Sequence, residues 1–408
     1  MTIENIDSDK LILARKPFSI FARISVLAAL AAVGSFATNI LLPSLPSMAR
    51  DLNVSTAAVS STISVYLAVF AVGQLIVGPL SDRYGRWKPV MLGLGIFVLG
   101  SLWCEFSTTL PMMLVGRTIQ ALGACAASVL SRAIARDLLS GEELTRALAF
   151  IMVAMAAAPG FSPLIGGLLD TTTGWRSEFL VVGLFGATVA FAYFRCVGET
   201  HRPDGNVSIQ LTAILRGYWG LLTDRRFIAP AGTLGLFMGA LFAMFSVSPR
   251  VLIDGLGFSP IQLGLFFATT VLAVFASGMA GPRLAIRFGQ ARATIMGLVI
   301  AVIGGVLLFS AHWAQHSLWT YLGPIMVFLT GFGMVNPLAT ATALQPFGDR
   351  AGLASALLGF LQMAGAAVGV VLTASITSAT LAIGIVQVAL TMLGLILYLT
   401  GQRAVPAR

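Results

Sequence analysis

Long runs of apolar residues, separated by short polar breaks, fill the sequence from about residue 22 to about residue 400. Each run approaches the twenty or so residues that a helix needs to cross a hydrocarbon layer about 30 Å thick, because a helix rises about 1.5 Å per residue. Apolar and polar positions do not alternate within the runs, as they would in the strands of a membrane barrel. The pattern therefore predicts an all-α polytopic protein with twelve membrane-spanning helices, at residues 22–45, 57–80, 87–105, 109–131, 146–169, 178–197, 228–250, 258–281, 293–311, 318–345, 352–376 and 379–400.

Composition agrees with a membrane protein, since 57% of the residues are hydrophobic and only 10% are charged, whereas a soluble domain carries roughly 25% charged residues. The net charge of +9 does not indicate a nucleic-acid partner, because the basic residues lie in the breaks between apolar runs and form no basic face. The three cysteines have neither paired nor metal-like spacing. We therefore expect a lipid bilayer as partner, and no cofactor, metal or nucleic acid.

The distribution of lysine and arginine predicts how the chain is oriented. Twelve spans place successive loops on alternate sides of the membrane. Of the 25 basic residues, 21 fall on the side of the two termini and only Arg50, Arg176 and Arg250 fall on the other, while Arg117 lies inside a span. Because lysine and arginine concentrate in cytoplasmic loops, both termini are predicted to be cytoplasmic.

The two halves of the chain resemble each other at a constant shift of 203–204 residues. The shift divides the chain into a first half at 1–198, a cytoplasmic linker at 199–226 and a second half at 227–408. Repeated halves are typical of secondary transporters, which place a binding site between them. The matched positions are Pro46 with Pro249, Asp51 with Asp254, Ser55 with Ser259, and Arg83-Tyr84-Gly85 with Arg287-Phe288-Gly289.

The most specific local pattern in the sequence follows the second span and reads GPLSDRYGRWKP at residues 78–89. Its glycines allow close approach of the backbone in a tight turn, and its aspartate and arginines can exchange ion-pair partners. A plain basic loop would account for the positive charge, but not for the ordered glycines and aspartate. The segment resembles the loop between the second and third helices of the major facilitator superfamily.

Further segments are similar to the drug:proton antiporter branch of that superfamily, near the bicyclomycin- and chloramphenicol-resistance exporters. The likeness covers nearly the whole chain and is sharper in the first half. In the second copy of the loop, Ile286 stands where the first copy has Asp82. The similar segments are NILLPSLP at 39–46, GQL at 73–75, RTIQALG at 117–123, RDL at 136–138, APGFSPLIGG at 158–167, GWR at 174–176 and ET at 199–200.

The resemblance implies a conformational latch at the loop and an antiporter motif in the fifth span. The latch aspartate, Asp82, would lie near the start of the eleventh span, at about Ala351, and near Arg132 or Arg136. The latch residues carried over are Gly78, Asp82, Arg83, Gly85, Arg86 and Arg136. Those of the antiporter motif are Pro159, Pro163, Gly166 and Gly167, which would permit close helix packing and a bend.

Arg117 is the most informative single residue, because a charged side chain well inside an apolar run is costly and usually faces the bundle interior. One interpretation gives it a structural role, tied to neighbouring carbonyls and to Gln120. The resemblance instead implies a place in the central cavity, where the family's arginine helps to bind substrate or to tune a carboxylate. The candidate cavity residues are Asn39, Arg117, Gln120, Phe36, Met155, Phe237 and Phe242.

The sequence departs from the family pattern in its acidic residues. None of the 16 acids falls near the middle of a predicted span, and Asn39 stands where relatives carry aspartate. An amide cannot titrate, so proton coupling is left open. We expect a monomeric secondary exporter of small organic molecules in a bacterial inner membrane, of the multidrug or phenicol type.

Two alternatives to this function stay open. The first is a dedicated exporter of an endogenous metabolite, such as a siderophore or another carboxylate. The second is a receptor-like relative that kept the fold and lost transport. An enzyme is not expected, because the spans contain no visible nucleophile, metal cluster or acid–base pair.

Overall fold

The computed structural model describes residues 19–139, 141–201, 211–313 and 317–403. Eleven helices in these ranges are long and apolar enough to cross a membrane, and a further helix of 32 residues covers the predicted span 146–169. The predicted all-α, polytopic architecture is therefore confirmed. The long helices are α1 Ile20–Asn39, α2 Ser61–Tyr84, α3 Trp87–Glu105, α4 Leu110–Leu138, α5 Gly141–Thr172, α6 Arg176–Cys196, α7 Arg225–Pro249, α8 Pro260–Phe288, α9 Gln290–Ser310, α10 Leu318–Leu344, α11 Ala351–Ala374 and α12 Ala379–Arg403.

The two ends of the bundle differ in charge. The end that carries the α2–α3, α4–α5 and α8–α9 turns holds most of the described lysine and arginine residues, and we call it the basic end. The α1–α2, α3–α4, α5–α6 and α7–α8 turns lie at the other end, which we call the opposite end. A 13-residue connecting helix, Leu211–Thr223, lies at the basic end between α6 and α7.

The first predicted span, 22–45, is not one continuous α-helix. α1 ends at Asn39, a 3₁₀ turn follows at Leu42–Ser44, and a short helix occupies Leu45–Asp51. Each of the two short elements has a proline in its first turn, a position that suits proline because its missing N–H has no partner there in any case. We refer to residues 42–51 as the gate segment.

The internal repeat appears in the local geometry of matched residues. Gly85 ends α2 with a φ of 84°, and Gly289 ends α8 with a φ of 87°, a region that glycine enters without strain. Ser55 and Ser259 each accept a hydrogen bond from the backbone N–H three residues later, at the start of the next helix. The matched glycines and the matched serines thus have the same local conformation in both halves, whereas Asp51 lies in an α-helix and Asp254 in a π-helix.

Two seams join the halves, α5 against α8 and α2 against α11. The other extensive contacts lie inside each half, such as α3 with α4 and α9 with α10. The gate segment also reaches the second half, because its 3₁₀ turn contacts α7 and α8. The connecting helix lies across the α2–α11 seam, where the Tyr218 hydroxyl donates to the Leu75 carbonyl at 3.2 Å.

All six tryptophans lie at or close to helix ends, and none lies in the middle of a span. Trp87 and Trp103 stand at the two ends of α3. Four of the six have side chains that are well exposed on the protein surface, namely Trp103, Trp219, Trp313 and Trp319. This placement fits two aromatic belts at the level of the lipid headgroups.

Candidate functional site

A buried polar cluster surrounds Arg117 inside the first half. The side chain is wholly buried, and its guanidinium donates to the Ala37 carbonyl of α1 at 3.2 Å and to the Thr62 carbonyl of α2 at 3.4 Å. A third bond joins Arg117 Nη1 to Gln120 Oε1. The guanidinium carbon also lies 4.1 Å from the centre of the Tyr66 ring, a cation–π contact that partly replaces lost hydration.

The cluster continues through Gln120, whose amide nitrogen donates to Ser101 Oγ of α3 at 2.8 Å. Gly100 is required beside it, because a Cβ there would lie 2.7 Å from the Gln120 Cα. The cluster therefore joins α1, α2, α3 and α4, and it holds Arg117 by carbonyls and an amide. None of the ion pairs found in the described ranges includes Arg117.

Two polar atoms in this region have no hydrogen-bond partner among the described residues. One is Arg117 Nη2 and the other is Asn39 Oδ1. The Asn39 amide nitrogen donates to the Ser35 carbonyl at 2.8 Å, one turn earlier in α1. Leaving such groups buried and unpaired costs on the order of 1–3 kcal/mol each, so both atoms are suited to receive a polar ligand or water.

Two of the other predicted cavity residues pack against neighbouring side chains of the first half. Phe36 packs against Phe185 of α6, with 5.1 Å between the ring centres and the two rings tilted by 52°. Met155 is half-buried in α5, and its sulfur accepts from Arg132 Nη1 at 3.8 Å. Neither contact joins these side chains to Arg117.

Phe237 and Phe242 belong to the second half. Phe237 is fully buried, with its ring centre 6.5 Å from that of Phe328 in α10. Phe242 lies 5.6 Å from Phe245 in an edge-to-face arrangement. Among the predicted cavity residues, only Arg117 and Gln120 bond to each other. The others make separate contacts, and the shared role of all seven in substrate binding stays a prediction.

A second polar cluster lies at the basic end, around Arg86. Its Nε forms an ion pair with Asp137 at 3.0 Å, and its Nη1 donates to Ser81. Glu199 accepts from the backbone N–H groups of Arg86 and Trp87 at 2.8 and 3.2 Å. This carboxylate satisfies two N–H groups at the start of α3, where the helix dipole favours negative charge.

Gly85 explains why the α2–α3 turn needs a glycine. Its φ is positive, and a Cβ at this position would lie 2.9 Å from the Glu199 carboxyl carbon. Gly78, the other latch glycine, has open space around its Cβ position. Sequence reasoning matched Asp137 and Glu199 to the family but gave them no partner, because both lie far along the chain from Arg86.

The latch aspartate cannot be placed in this cluster, because the side chains of Asp82 and Ala351 fall outside the described part of the structure. Arg136 is exposed, and Arg132 contacts Met155. Arg83 lies over the ring of Tyr84 at 5.7 Å, as Arg287 lies over Phe288 at 5.3 Å. The pairing of Asp82 therefore stays a prediction.

The glycine pair of the antiporter motif lies where three backbone segments meet at the opposite end. A Cβ on Gly166 would overlap the Ile40 carbonyl oxygen of the first half, and its distance to the Ile40 carbonyl carbon would be 2.9 Å. A Cβ on Gly167 would lie 2.6 Å from the Pro260 carbonyl carbon, at the start of α8. Only glycine permits this approach.

The prolines of the motif lie on the same seam. Pro159 and Pro163 are both inside α5, which stays helical through them. Gly264 of α8 faces this stretch, because a Cβ there would lie 2.9 Å from the Pro163 carbonyl oxygen and 2.6 Å from the Leu164 Cα. Backbone therefore meets backbone along the α5–α8 seam.

Three acidic side chains hold the gate segment at the opposite end. Ser44 donates to Glu178 of α6, Ser47 donates to Asp170 of α5 at 2.8 Å, and Asp51 accepts from Trp175 and Arg176 at 3.0 and 2.8 Å. Sequence reasoning assigned no role to Asp170 and Glu178, because neither lies near the middle of a predicted span. No signal in the sequence pairs Ser44 with a residue 134 positions away.

The sequence profile of the Major Facilitator Superfamily matches residues 27–370. The chain is 33% identical to multidrug resistance protein D of Escherichia coli (strain K12) over 380 residues, which cover 92% of this chain and 93% of that protein. It is 29% identical to the chloramphenicol resistance protein of Pseudomonas aeruginosa, over 83% of this chain and 80% of that protein. With the bicyclomycin resistance protein homolog of Haemophilus influenzae (strain ATCC 51907 / DSM 11121 / KW20 / Rd), the identity is 27% over 89% and 92%.

Solved structures agree on the fold. A bacterial homolog of the human lysosomal transporter Spinster, inward-facing and unoccupied, superposes with a TM-score of 0.75 at 15% identity, over 96% of this chain and 100% of that one. The peptide transporter POT in complex with sulfate gives a TM-score of 0.77 at 12% identity, over 98% of both chains. The chain therefore belongs to the major facilitator superfamily, as a multi-pass membrane transporter and not an enzyme.

Proposed function

We propose that this protein is a secondary active exporter of small organic molecules, of the multidrug or phenicol type, that works by alternating access. It acts as a monomer in a bacterial inner membrane, with the basic end and both termini in the cytoplasm. The observation that supports this mechanism is a difference in hydrogen bonding. Polar side chains join the helices inside the first half, whereas few hydrogen bonds cross the seams between the halves.

Within the first half, polar clusters around Arg117 and Arg86 join several helices. Across the α2–α11 seam, the direct polar contact in the described residues is a long one of 3.5 Å from Gln74 Nε2 to the Gly359 carbonyl. Across the α5–α8 seam, glycines bring the backbones together. Few hydrogen bonds must break when such seams separate, which supports rocking of two rigid halves.

The substrate class follows from the relatives and from Arg117. Three relatives, at 27–33% identity, are named for resistance to multiple drugs, chloramphenicol and bicyclomycin. Arg117 is a buried cation without a carboxylate partner in the described chain. A compound that is an anion, or that offers a neutral hydrogen-bond acceptor, would stabilise this buried charge more than a lipophilic cation would. We therefore expect neutral or anionic compounds to be preferred.

The latch remains part of this proposal. The α2–α3 turn is held to α4 by Arg86 and Asp137, and it lies at the basic end of the α2–α11 seam. Asp82 would stabilise the closed basic end from this turn through a charge-assisted contact.

Transport by the purified protein in liposomes tests the proposal. The compounds are chloramphenicol, bicyclomycin, a lipophilic cation and a small carboxylate, each with and without an imposed pH gradient, and protein-free liposomes are the control. Protein-dependent movement of chloramphenicol or bicyclomycin is expected. Movement of the carboxylate alone would favour a dedicated metabolite exporter, and movement of none would favour a receptor-like relative.

A further inference from the structure

Glu178 is a fully buried acid that the proposed mechanism does not use. The residue has no exposed surface, although it lies only two positions after the start of α6. Its Oε1 accepts from Ser44, and its Oε2 has no hydrogen-bond partner among the described residues. None of the described ion pairs includes it.

The charged groups on the surrounding elements do not neutralise Glu178. Arg176, on its own helix, donates to Asp51 and to the Ser107 carbonyl. Arg50, in the gate segment, donates to Ser47. The groups that remain are acids, namely Asp170 at the end of α5, Asp51 in the gate segment and Glu105 at the end of α3.

An ionised carboxylate in this position would be strongly unfavourable, because it would lose its hydration without gaining a cation as partner. A neutral carboxylic acid keeps the bond from Ser44 and leaves only one O–H unpaired. The observed arrangement, in which the gate segment packs on α5, α6, α7 and α8, therefore matches Glu178 with its proton bound.

The position of Ser44 connects that proton to the seam between the halves. Ser44 ends the 3₁₀ turn that contacts α7 and α8 of the second half. When the halves separate at the opposite end, this turn loses those contacts and water can reach Glu178. Ionisation is then favourable, and the ionised side chain resists reburial.

We propose that Glu178 is a proton-binding site of this transporter, filled from the opposite side of the membrane, and that binding of the proton permits the gate segment to close. The inference rests on the proposed function and adds detail to it. It names a titratable group in a chain that has Asn39 at the position where relatives carry aspartate. Proton binding adds one proton to the carboxylate from water and forms no other bond.

Infrared difference spectroscopy tests proton binding without any transport. Wild type minus Glu178→Gln at neutral pH should show the C=O band of a protonated carboxyl. The amide of the variant keeps the acceptor for Ser44 and cannot ionise. Asp254→Asn is the matched control, since Asp254 is an exposed acid at the same end of the second half, and its difference spectrum should show an ionised carboxylate. Absence of the protonated band for Glu178 would overturn the proposal.

Transport tests the link to the gate. Lowering the external pH should speed export by wild type and by Asp254→Asn, by up to about tenfold for one pH unit in the range where the water-exposed carboxyl is mostly ionised, and by about twofold near the titration midpoint. The same change should alter export by Glu178→Gln less than about twofold, since its residue 178 stays neutral. An unaltered pH profile in Glu178→Gln would also overturn the proposal. If wild type moves no compound, the proposed function fails, and the infrared result still decides whether Glu178 binds the proton.

Discussion

At the scale of single residues, Arg117 shows how a buried charge is held without a counter-ion. Carbonyls from α1 and α2, the Gln120 amide and the face of Tyr66 surround the guanidinium. These contacts agree with the structural interpretation of Arg117 that the sequence left open. Nη2 remains without a partner in the described chain, so the same arrangement also leaves one donor for a ligand.

Substitution of Arg117 and Asn39 separates these two interpretations. Arg117→Ala should weaken binding of neutral and anionic compounds by about 1–3 kcal/mol, which is roughly 5- to 150-fold, because a hydrogen bond to a charged group is lost. Asn39→Asp should shift preference toward cations, because a new carboxylate would pair with Arg117 or with the substrate. Competition assays with one cationic, one neutral and one anionic compound measure both effects.

Thermal unfolding of the same variants is the control for these assays. A lower melting temperature in Arg117→Ala with an unchanged order of preference would show that Arg117 serves only the structure. A wild-type preference for the cation would equally contradict the proposed substrate class.

At the scale of elements, the helices were predictable and their contacts were not. The apolar runs located the spans because each must be long enough to cross the hydrocarbon layer. The end of α1 at Asn39 was not predicted, because residues 40–45 are about as apolar as the rest of the span. Only the positions of Pro43 and Pro46 indicate a break in the helix there. The pairs Ser44–Glu178 and Arg86–Asp137 depend on helix packing, which no local pattern encodes.

The glycine contacts of α5 give a prediction for the seam. Gly166→Val should abolish most transport, because a side chain there would overlap the Ile40 carbonyl and force the end of α1 away from α5. Gly95→Val is the matched control, since Gly95 lies in α3 with open space around its Cβ position. Initial transport rates, normalised to the amount of folded protein, compare the two variants.

Equal rates for Gly166→Val and wild type would contradict the importance of this close approach. Equal losses in both variants would indicate an effect unrelated to the close approach, since valine has a higher intrinsic helix propensity than glycine.

At the scale of the whole molecule, the two halves share a plan and differ in its details. Gly85 and Gly289 make the same turn, but the second turn lacks the aspartate, and Ile286 in its place is 88% exposed. Ser44 and Ser248 are also 204 positions apart, yet Ser44 bonds to Glu178 of α6 whereas Ser248 bonds to Tyr321 of α10 at 2.9 Å. At both of these matched places the acidic side chain lies in the first half, and the second half has an uncharged residue or partner.

The side of the membrane on which each loop lies can be tested with reporter fusions. Reporter fusions after Arg50 and Arg176 should lie outside the cell, and fusions after Lys88 and Arg216 inside, because basic residues concentrate in cytoplasmic loops. Alkaline phosphatase and fluorescent-protein reporters give opposite signals on the two sides and check each other. Two or more reversed positions would contradict the proposed topology.

The tryptophans at the two ends of α3 set a length that the membrane must match. Trp87 and Trp103 are 16 residues apart, which is about 24 Å along a helix axis, whereas the hydrocarbon core of a typical bilayer is about 30 Å thick. If both indoles stay among the headgroups, the lipid beside α3 must be compressed, at a cost of fractions of a kcal/mol per Å. The energy of this lipid compression then changes as the halves move. The transport rate should therefore depend on the acyl-chain length of the surrounding lipid.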